Sequence, residues 1–584
     1  MKTSDYIIDF LFKNKVNYIF EVVGGSIAHI IDSLYSNNHI KTISMHHEQT
    51  AAFAAEGYSR LCGNVGVALA TSGPGATNLV TGIGSCYFDS IPCLFITGQV
   101  NTYELKTNKL VRQIGFQETD IVNVVKPIVK YAKLITEPQK IKYYLEKAIF
   151  IAKNGRPGPV LLDIPLDIQR KDIDINEIGS FHYSIKTGDT YNFNDQINEA
   201  AKLLQDSKRP AFLIGGGLRL SGAVKEFNDL ENKLNFPVAV TLMGLDAFNH
   251  EDPNYIGMIG TYGNRYANLA IANSDLIIAL GTRFDTRQTG TNPDSFARAT
   301  KIIHIDIDPN ELNNKIKTDV AINCDIKEFL TLITKKLDNK NILNIKEWKE
   351  KIETYKIKYP SFTVSKNKKI SPNHFMDILS LFMPSDSIIC ADVGQTQMWA
   401  AQSLKLRANQ RFLTQGGMGA MGSALAMGIG ASFSQKNKKP IIIISGDGGF
   451  QLNIQELQTV YHHNLPLKII IFNNSCYGMV RQFQQQYFDS RFQSTVIGYS
   501  SPDFKRIAKA YKITSSKISK INEIEGSLKK LFSNMQPMLL EIKIDRDFQA
   551  LPKLSVNNPI EDQEPFLPRE ELRANMIIKP FKAI

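Results

Sequence analysis

The clearest sign of chemistry in the sequence is a glycine-rich turn that carries a carboxylate. Gly446-Asp447-Gly448-Gly449 follows the apolar run 441–445, and Asn474 follows a second apolar run, 468–472. If both runs are adjacent parallel strands joined by a crossover helix, both polar groups lie where open α/β sheets bind ligands. Carboxylate and amide oxygens suit Mg²⁺, and glycines let backbone N–H groups approach phosphate. The turn therefore predicts a magnesium–diphosphate site, against the simpler alternative of a solvent-facing aspartate.

The sheets that must position such a site are indicated three times along the chain. Each time a short β-branched run leads into a glycine-rich turn and a longer helical pattern, as in α/β domains with buried parallel strands. A length of 584 residues suggests about three domains of roughly 100–200 residues each. We predict an α/β fold of three doubly wound parallel-sheet domains over 1–180, 196–340 and 371–550, then a tail over 551–584. The strand candidates are 65–70, 93–97, 160–164, 211–214, 238–241, 276–280, 302–306, 387–390, 441–445, 468–472 and 539–544, with linkers over 171–194 and within 335–369 and a crossover helix over 454–464.

The bulk composition argues against several classes of protein. The formal net charge is +11, and much of the basic excess lies in 335–369 without aromatic residues arranged as a platform, so we do not expect nucleic-acid binding. The apolar runs are too short to span a membrane, and the amino terminus lacks the order of a secretory signal. The six cysteines form no CxxC pair, which indicates a reducing, cytoplasmic location without disulfides.

Short motifs that match a known family run through all three predicted domains. They occupy residues 47–49, 55–60, 71–78, 96–100, 155–160, 283–285, 394–395, 397–400 and 416–422. Together with the Asp447 turn and Asn474, they make the chain similar to thiamine-diphosphate-dependent enzymes, and in particular to acetohydroxyacid (acetolactate) synthases. The resemblance implies pyrimidine-binding, central FAD-binding-like and diphosphate-binding domains. It also implies a homodimer or homotetramer in which the site lies between subunits.

The resemblance assigns roles at the thiamine site residue by residue. Glu48 matches the glutamate that bonds the pyrimidine N1′ and promotes the imino tautomer of the cofactor; the alternative is a helix-start glutamate that satisfies a cap. Gly25 and Gln117 match residues near the substrate carbonyl, where they could donate to developing oxyanions. The predicted magnesium ligands are Asp447, Asn474 and Cys476, and the other predicted thiamine diphosphate contacts are Val393, Gln395, Thr396, Gly419, Met421, Gly446, Gly448, Gly449 and Met479.

The central domain resembles the FAD-binding domain of the same synthases, in which the flavin has no redox role. The triplet Gly215–Gly217 follows the strand candidate 211–214, which alone is weak evidence for a dinucleotide site. The alternative is an empty or ADP-binding central domain. The predicted FAD contacts are Arg156, Gly215, Gly216, Gly217, Gly260, Thr261, Arg283, Asp285, Arg287, Asp306, Ile307, Asp325, Gln397, Met398, Gly416 and Gly417.

Four positions depart from the synthase pattern. Phe483 stands where the synthases carry a tryptophan that favours 2-oxobutyrate as acceptor, Leu166 replaces a lysine, and Thr286 replaces an aspartate. Thr396 stands in place of a histidine that meets phosphate, so that contact is altered. Arg287, which can meet an acceptor carboxylate, is retained. The predicted substrate contacts are Phe116, Arg287 and Phe483.

These features predict a carboligase that decarboxylates a 2-oxo acid, pyruvate in the first place, and joins the two-carbon unit to a carbonyl acceptor. Several alternatives stay open within the same superfamily: a nucleotide-sugar ketone as acceptor, a pyruvate oxidase, a simple decarboxylase, or a hydrolase of cyclic diketones. The intact Glu48, Asp447 and Asn474 argue against a relative that only binds ligands.

Overall fold

Three parallel sheets of six strands each form the framework of the described chain. The computed structural model describes residues 1–37, 39–108, 110–177, 179–183, 193–337, 344–363, 369–435 and 439–581. The predicted fold class, α/β with three doubly wound parallel-sheet domains, is confirmed. Parts of the predicted linkers over 171–194 and 335–369 lie outside the described residues. Among the residues that are described, every helix is too short or too polar to cross a lipid bilayer.

The amino-terminal domain has the strand order β2-β1-β3-β4-β6-β5. Its strands are β1 (Tyr18–Val22), β2 (Lys41–Ser44), β3 (Gly66–Ala70), β4 (Cys93–Gln99), β5 (Tyr131–Leu134) and β6 (Val160–Pro165). Its helices are α1 (Thr3–Lys13), α2 (Ala28–Ser36), α3 (Glu48–Cys62), α4 (Pro74–Asn78), α5 (Val80–Asp89), α6 (Ile121–Val125), α7 (Ile141–Lys153) and α8 (Leu166–Arg170). Because β1 pairs with β3, the loops that follow these two strands lie side by side.

The central domain has the strand order β12-β11-β10-β7-β8-β9. Its strands are β7 (Pro210–Ile214), β8 (Val238–Val240), β9 (Tyr255–Met258), β10 (Leu276–Leu280), β11 (Lys301–Asp306) and β12 (Val320–Asn323). Its helices are α9 (Asn194–Asp206), α10 (Gly216–Leu220), α11 (Val224–Leu234), α12 (Arg265–Asn273), α13 (Thr286–Thr289), α14 (Ile326–Lys336) and α15 (Lys346–Lys358). The order brings the loops after β7, β10 and β11 to one edge of the sheet.

The carboxyl-terminal domain has the strand order β14-β13-β15-β16-β18-β17. Its strands are β13 (Ile388–Ala391), β14 (Arg411–Leu413), β15 (Ile441–Gly446), β16 (Leu467–Asn473), β17 (Thr514–Ile518) and β18 (Met538–Lys543), and the tail adds β19 (Lys553–Leu554) and β20 (Gln563–Glu564). The helices are α16 (Pro372–Phe382), α17 (Gln395–Ser403), α18 (Ser423–Phe433), α19 (Asp447–Gln451), α20 (Leu457–His462), α21 (Gly478–Tyr487), α22 (Phe504–Ala510), α23 (Ile524–Leu531) and α24 (Arg569–Asn575). The loops after β13, β15 and β16 are therefore neighbours.

Both faces of the sheets are buried, as parallel sheets require. In β4, Leu94 and Ile96 share an apolar cluster with residues of α1 and α7. Phe95, on the opposite face, belongs to a cluster that includes α3 and also α18 of the carboxyl-terminal domain. Side chains alternate between the two faces of a strand, so a strand buried on both sides must be apolar throughout. This is why the central strands read as continuous apolar runs.

Helices α3 and α18 join the two outer domains of the chain by an unusually close contact. A methyl group placed on Gly57 would lie 2.2 Å from the Met427 carbonyl oxygen, and one on Gly430 would lie 1.8 Å from the Ala54 carbonyl oxygen. Only glycine permits this separation between the helices. The contact fixes the amino end of α3, where Glu48 lies, relative to the carboxyl-terminal domain.

The tail is more firmly attached than its sequence indicates. The sequence predicts only a tail over 551–584, yet Leu554 and Ile560 are buried. The backbone N–H of Leu554 donates to the Thr261 carbonyl oxygen at 2.7 Å, and Arg298 pairs with the buried Glu561 at 2.7 Å. The hairpin β19–β20 is therefore held against the central domain.

Candidate active site

Asp447 lies at the carboxyl end of β15 and begins α19. Its side chain is almost completely buried, and its Oδ2 accepts a hydrogen bond of 2.9 Å from the Tyr499 hydroxyl. Burial raises the pKa of the Asp447 carboxyl to about 6, because a carboxylate loses its hydration there. Tyr499 is absent from the predicted site residues, since a single tyrosine in a loop carries no motif that sequence reasoning could use.

The neighbouring strands bring two amides to the same edge. Asn474 directly follows β16 and donates to Gln395 Oε1 at 3.3 Å, and Gln395 begins α17 after β13. The backbone N–H of Cys476 donates to Asn474 Oδ1 at 3.2 Å. Burial raises the pKa of the Cys476 thiol to about 11, so the thiol stays protonated near neutral pH.

The glycines of the turn differ in what surrounds them. A methyl group on Gly448 would lie 2.6 Å from the Tyr477 ring, and one on Gly449 would lie 2.2 Å from Asp392 Oδ2. A methyl group on Gly446 would meet no other group of the described chain within 4 Å. The turn is therefore packed on one side and open at Gly446.

Asp392 is a buried carboxylate that sequence reasoning missed. It follows β13 directly and accepts hydrogen bonds from the Ser445 hydroxyl at 2.7 Å, the Gly422 N–H at 2.9 Å and the Val393 N–H at 3.1 Å. Burial raises its pKa to about 6. Asp392 thus ties β13 to the end of β15 and to the start of α18. Its place after an apolar strand was the available signal, since Asp447 was found from the same position.

The remaining predicted thiamine diphosphate contacts surround this framework. Thr396 is buried on the first turn of α17 and donates to the Asp392 carbonyl oxygen at 3.3 Å. Gly419 is exposed in the loop before α18 and has a positive φ of 67°. Met421 lies next to the Gly422 N-cap of α18, and Met479 lies on the first turn of α21. All of them lie in the loops or first helical turns beside Asp392 and Gln395.

Glu48 is the first residue of α3, and its position follows from local capping. His47 is the N-cap, with its Nδ1 accepting a hydrogen bond from the Gln49 N–H at 3.1 Å. Glu48 is buried, and its Oε2 accepts a hydrogen bond of 2.9 Å from the Asn78 amide. Its Oε1 faces Gly75, where a methyl group would lie 3.2 Å away. Both the catalytic and the capping interpretation require a helix start, so helix position alone does not separate them.

The other two predicted catalytic residues, Gly25 and Gln117, lie near the segment 71–78, which also contains Asn78, the hydrogen-bond partner of Glu48. Gly25 follows β1, and the adjacent Ser26 hydroxyl is 2.8 Å from the Thr71 hydroxyl. Gln117 has a positive φ of 64°, and a methyl group on Gly73 would lie 2.9 Å from its Cβ. Glu48, Gly25 and Gln117 are thus brought together by one loop, although they are distant in the sequence.

A cavity of about 600 Å³ lies where the central domain meets the two outer domains. Most of the predicted FAD contacts line it, and its walls combine apolar and polar groups. The lining includes Arg156, Gly215, Gly216, Gly217, Thr261, Arg283, Asp285, Arg287, Asp306, Ile307, Asp325, Met398 and Gly416. The size and the mixed walls fit a cofactor-sized ligand.

Three predicted FAD contacts do not line this cavity but contact residues that do. A methyl group on Gly260 would lie 2.3 Å from the Arg287 carbonyl oxygen. Gln397 donates to the Thr414 hydroxyl at 2.7 Å, and the Gly417 N–H donates to Asp89 Oδ1 at 2.8 Å. These residues position groups of the lining.

Charged groups of the cavity are partly paired. Arg156 Nη1 lies 2.6 Å from Glu311 and 3.1 Å from Asp308. Burial raises the pKa of Asp306 to about 6.

The triplet Gly215–Gly217 begins α10, and a methyl group on Gly215 would lie 2.1 Å from the Gly281 carbonyl oxygen. The glycine therefore lets the loops after β7 and β10 approach closely at the mouth of the cavity.

The predicted substrate residues are largely exposed in the single chain. Phe116, next to Gln117, is 86% exposed, and Phe483 on α21 is 46% exposed. Arg287 is also exposed and lies on α13 beside the cavity. Glu48 bonds within the amino-terminal domain and Asp447 within the carboxyl-terminal domain, so the two halves of the predicted site are carried by different domains.

Comparison with known proteins identifies the class that this fold and site define. Three family models match: the N-terminal TPP binding domain of thiamine pyrophosphate enzymes over residues 1–124, the central domain over 197–333, and the C-terminal TPP binding domain over 392–542. The chain is 38% identical over 567 residues to the acetolactate synthase large subunit of Cyanidium caldarium, covering 95% of each chain.

Two other relatives show the same extent of similarity. The probable acetolactate synthase large subunit of Methanocaldococcus jannaschii is 39% identical, over 94% of this chain and 93% of its own. The acetolactate synthase large subunit of Lactococcus lactis subsp. lactis is 35% identical, over 94% of each. The chain belongs to the family of thiamine pyrophosphate enzymes that includes the acetolactate synthase large subunits.

Proposed function

We propose that the chain decarboxylates pyruvate with thiamine diphosphate and transfers the two-carbon unit to a carbonyl acceptor. The observation that carries the proposal is the convergence of Asp447, Asn474 and Gln395 at adjacent strand ends, beside a glycine turn that is open at Gly446. The full-length similarity to acetolactate synthase large subunits supports pyruvate as the donor.

The donor set at the strand ends fits Mg²⁺. We infer that the Asp447 carboxylate, the Asn474 side-chain oxygen and the Cys476 carbonyl oxygen hold the ion, because all three groups offer the oxygen ligands that Mg²⁺ prefers and phosphate oxygens complete its shell. The backbone of 446–449, with Gln395 and Thr396, would hold the diphosphate. The loop at Gly419 and the side chains of Val393, Met421 and Met479 would support the thiazolium end.

When bound, thiamine diphosphate would supply a carbon nucleophile for the 2-oxo group of the substrate. Glu48 would hold a proton at the pyrimidine N1′: the Asn78 amide donates to Oε2, which leaves Oε1 for this bond. A carboxylate placed here favours the tautomer needed for proton removal. Gln117 and the Gly25 backbone both lie near the segment 71–78 and would donate to the substrate oxygen, where charge develops.

The arrangement supports a site shared between two subunits. Glu48 and Asp447 are carried by different domains, and exposed aromatic rings stand beside each half: Phe116 near Gln117, and Phe483 on α21. A second copy of the chain would cover these rings and bring Glu48 of one subunit close to Asp447 of the other. We therefore propose a homodimer or a homotetramer of dimers.

The cavity supports FAD as a second cofactor. Gly216 and Gly217 at the start of α10, with Arg156 and Arg283, would meet the pyrophosphate, and Asp306 and Asp325 would meet hydroxyl groups. The lining of the cavity matches this pattern. The proposed role of the flavin is structural, with no electron transfer from pyruvate.

Pyruvate turnover with a panel of acceptors tests the proposal. The protein is incubated with Mg²⁺, thiamine diphosphate and pyruvate, and products are identified by mass spectrometry. We expect CO₂ release together with a ligated product that needs both cofactors. Reduced flavin and acetate would instead indicate an oxidase, and free acetaldehyde a simple decarboxylase. Absence of CO₂ release under all conditions would remove the proposed function.

A further inference from the structure

Helix α21 leads from the proposed cofactor site to an exposed aromatic surface. At its start, a methyl group on Gly478 would lie 1.9 Å from Gln395 Oε1 and 2.8 Å from the Asn474 amide nitrogen. One and two turns further on, the rings of Phe483 and Tyr487 lie 4.6 Å apart, and both are at least 40% exposed. Both rings therefore lie on the helix that begins at the proposed cofactor site.

The tail hairpin places a lysine over these rings. Lys553 Nζ lies 5.7 Å from the Phe483 ring centre and 5.3 Å from the Tyr487 ring centre, and the residue is only 7% exposed. Its ammonium also donates to Gln486 Oε1. An ammonium carries three donors, so Lys553 keeps donors available for a ligand.

A carboxylate completes the group on the opposite side of Gln486. Glu564, on the second strand of the hairpin, accepts hydrogen bonds from the Gln486 amide and from the Ser555 hydroxyl. We call Phe483, Gln486, Tyr487, Lys553 and Glu564 the tail subsite. It combines exposed ring faces with a cationic donor, an amide and an anionic acceptor.

The tail subsite adjoins Arg287, the proposed contact of the acceptor. The Leu554 N–H donates to the Thr261 carbonyl oxygen at 2.7 Å, and the Asn557 N–H donates to the Thr291 hydroxyl at 2.7 Å. These contacts dock the hairpin on the loop after β9 and on the loop after α13, the helix that carries Arg287. The Thr261 N–H in turn donates to the Arg287 carbonyl oxygen at 2.7 Å. Thr261 therefore joins the hairpin to Arg287.

We propose that the tail subsite binds the acceptor and selects a polyhydroxylated, sugar-like ketone over an alkyl 2-oxo acid. The proposal rests on the carboligase function proposed above. A hydroxyl both donates and accepts, so it can use Lys553 and Glu564 together, whereas an alkyl chain leaves both without a ligand. A carboxylate could accept from Lys553 but has no donor to offer Glu564. The ring faces of Phe483 and Tyr487 supply the apolar wall on which a carbohydrate ring or chain can lie.

Matched acceptors test this selectivity. Pyruvate is the donor, and the acceptors are L-erythrulose, 2-butanone of the same chain length without hydroxyls, 2-oxobutyrate, and a 4-oxo-hexose carried on a nucleoside diphosphate. We expect kcat/KM for at least one hydroxylated ketone to exceed the values for 2-butanone and 2-oxobutyrate by about tenfold or more, because sites built for hydrogen bonding discriminate strongly against analogues that lack the group. A preference for 2-oxobutyrate over both hydroxylated ketones would overturn the proposal.

Variants assign the preference to the subsite. Lys553→Met keeps the length of the side chain but removes the donors, and we expect it to lower the ratio of hydroxylated to alkyl kcat/KM about tenfold. Lys553→Arg should restore part of that ratio. The control Lys346→Met, on the exposed face of α15 (side chain 80% exposed), should leave the ratio unchanged. If Lys553 had only a structural role, Lys553→Met would lower kcat/KM for all acceptors alike. That result would contradict the assignment.

The outcomes separate this inference from the proposed function. If pyruvate releases CO₂ and acetolactate forms, but hydroxylated ketones gain no advantage, only the tail subsite proposal fails. If pyruvate releases no CO₂ with any acceptor, the proposed function fails first.

Discussion

Two alanine substitutions in the turn 446–449 should affect different properties of the protein. One should lower its stability, and the other should weaken cofactor binding. A methyl group on Gly449 would lie 2.2 Å from Asp392 Oδ2, whereas one on Gly446 would meet no other group of the described chain within 4 Å. The account places the diphosphate on the open side at Gly446. Gly449→Ala should therefore destabilise the fold, and Gly446→Ala should chiefly weaken thiamine diphosphate binding.

The magnitude for Gly449→Ala follows from the contacts of Asp392. Overpacking a buried position costs about 1–3 kcal/mol. If Asp392 moves away, the buried donors Gly422 N–H and Ser445 hydroxyl lose their acceptor, and each unsatisfied group costs about 1–3 kcal/mol. A loss of about 2–6 kcal/mol is large beside a typical stability of about 5–15 kcal/mol. It corresponds to a fall in Tm of at least about 4 °C for a domain of this size.

Thermal unfolding and calorimetric titration of both variants provide the assay. Without cofactor, Gly449→Ala should melt at least about 4 °C below the native protein, and Gly446→Ala within about 1 °C of it. With Mg²⁺ present, Gly446→Ala should bind thiamine diphosphate about tenfold more weakly, a loss of about 1.4 kcal/mol. Native-like melting of Gly449→Ala would refute the packing argument. Native-like cofactor affinity of Gly446→Ala would refute the placement of the diphosphate.

Four other predictions follow from the same account. Glu48→Gln should keep thiamine diphosphate bound but lower pyruvate turnover about 10²–10⁴-fold, and near-native rates would remove its proton-holding role. Asp447→Ala, or a chelator added to the native protein, should weaken cofactor binding in titrations, while the circular dichroism spectrum stays unchanged. If neither change alters the affinity for thiamine diphosphate, the metal is bound elsewhere. Phe483→Trp should shift a competition between pyruvate and 2-oxobutyrate as acceptors towards 2-oxobutyrate, since one methylene is worth about 1–3 kcal/mol, and a native enzyme that already favours 2-oxobutyrate strongly would contradict this reading. The purified protein should be yellow and stay oxidised during anaerobic turnover; a colourless protein indifferent to FAD, or bleaching at the rate of turnover, would contradict the binding or the structural role.

The strands that the sequence predicts are the inner ones, and the strands it misses are nearly all at the edges. Within the three parallel sheets, six of the seven unassigned strands are edge strands, namely β2, β5, β9, β12, β14 and β17. An edge strand is covered less completely than an inner one, so its sequence mixes polar and apolar residues: β17 has one buried residue and β5 has none. Apolar runs in the sequence therefore identify strands that are fully buried, but they do not identify strands that are partly exposed.

The seventh missed strand has a different cause. β1 is an inner strand, but its sequence contains Glu21, which is buried and accepts a hydrogen bond from the Ser44 hydroxyl on β2. Burial raises the pKa of the Glu21 carboxyl. An ionisable residue within a strand interrupts the apolar pattern of the sequence, although in the fold the neighbouring strand supplies its hydrogen-bond partner.

The candidate site was predictable where a residue type and a spacing carry chemistry by themselves. Asp447 and Asn474 follow from the glycine turn and the two apolar runs. Asp392 follows a predicted strand, which was an available signal, but its role and that of Tyr499 depend on which loops become neighbours in three dimensions. Lys553 is a further case, since only the docking of the tail hairpin brings it to Phe483.

The fate of the carbon atoms of pyruvate tests the central claim most directly. Pyruvate labelled with ¹³C at C1, or at C2 and C3, is supplied with Mg²⁺, thiamine diphosphate and an acceptor, and gas and products are analysed by mass spectrometry. The account predicts that C1 leaves as CO₂ while C2 and C3 enter the ligated product together, and that Glu48→Gln loses both signals. Release of all three carbons without ligation, or a product that retains C1 from the donor, would contradict it.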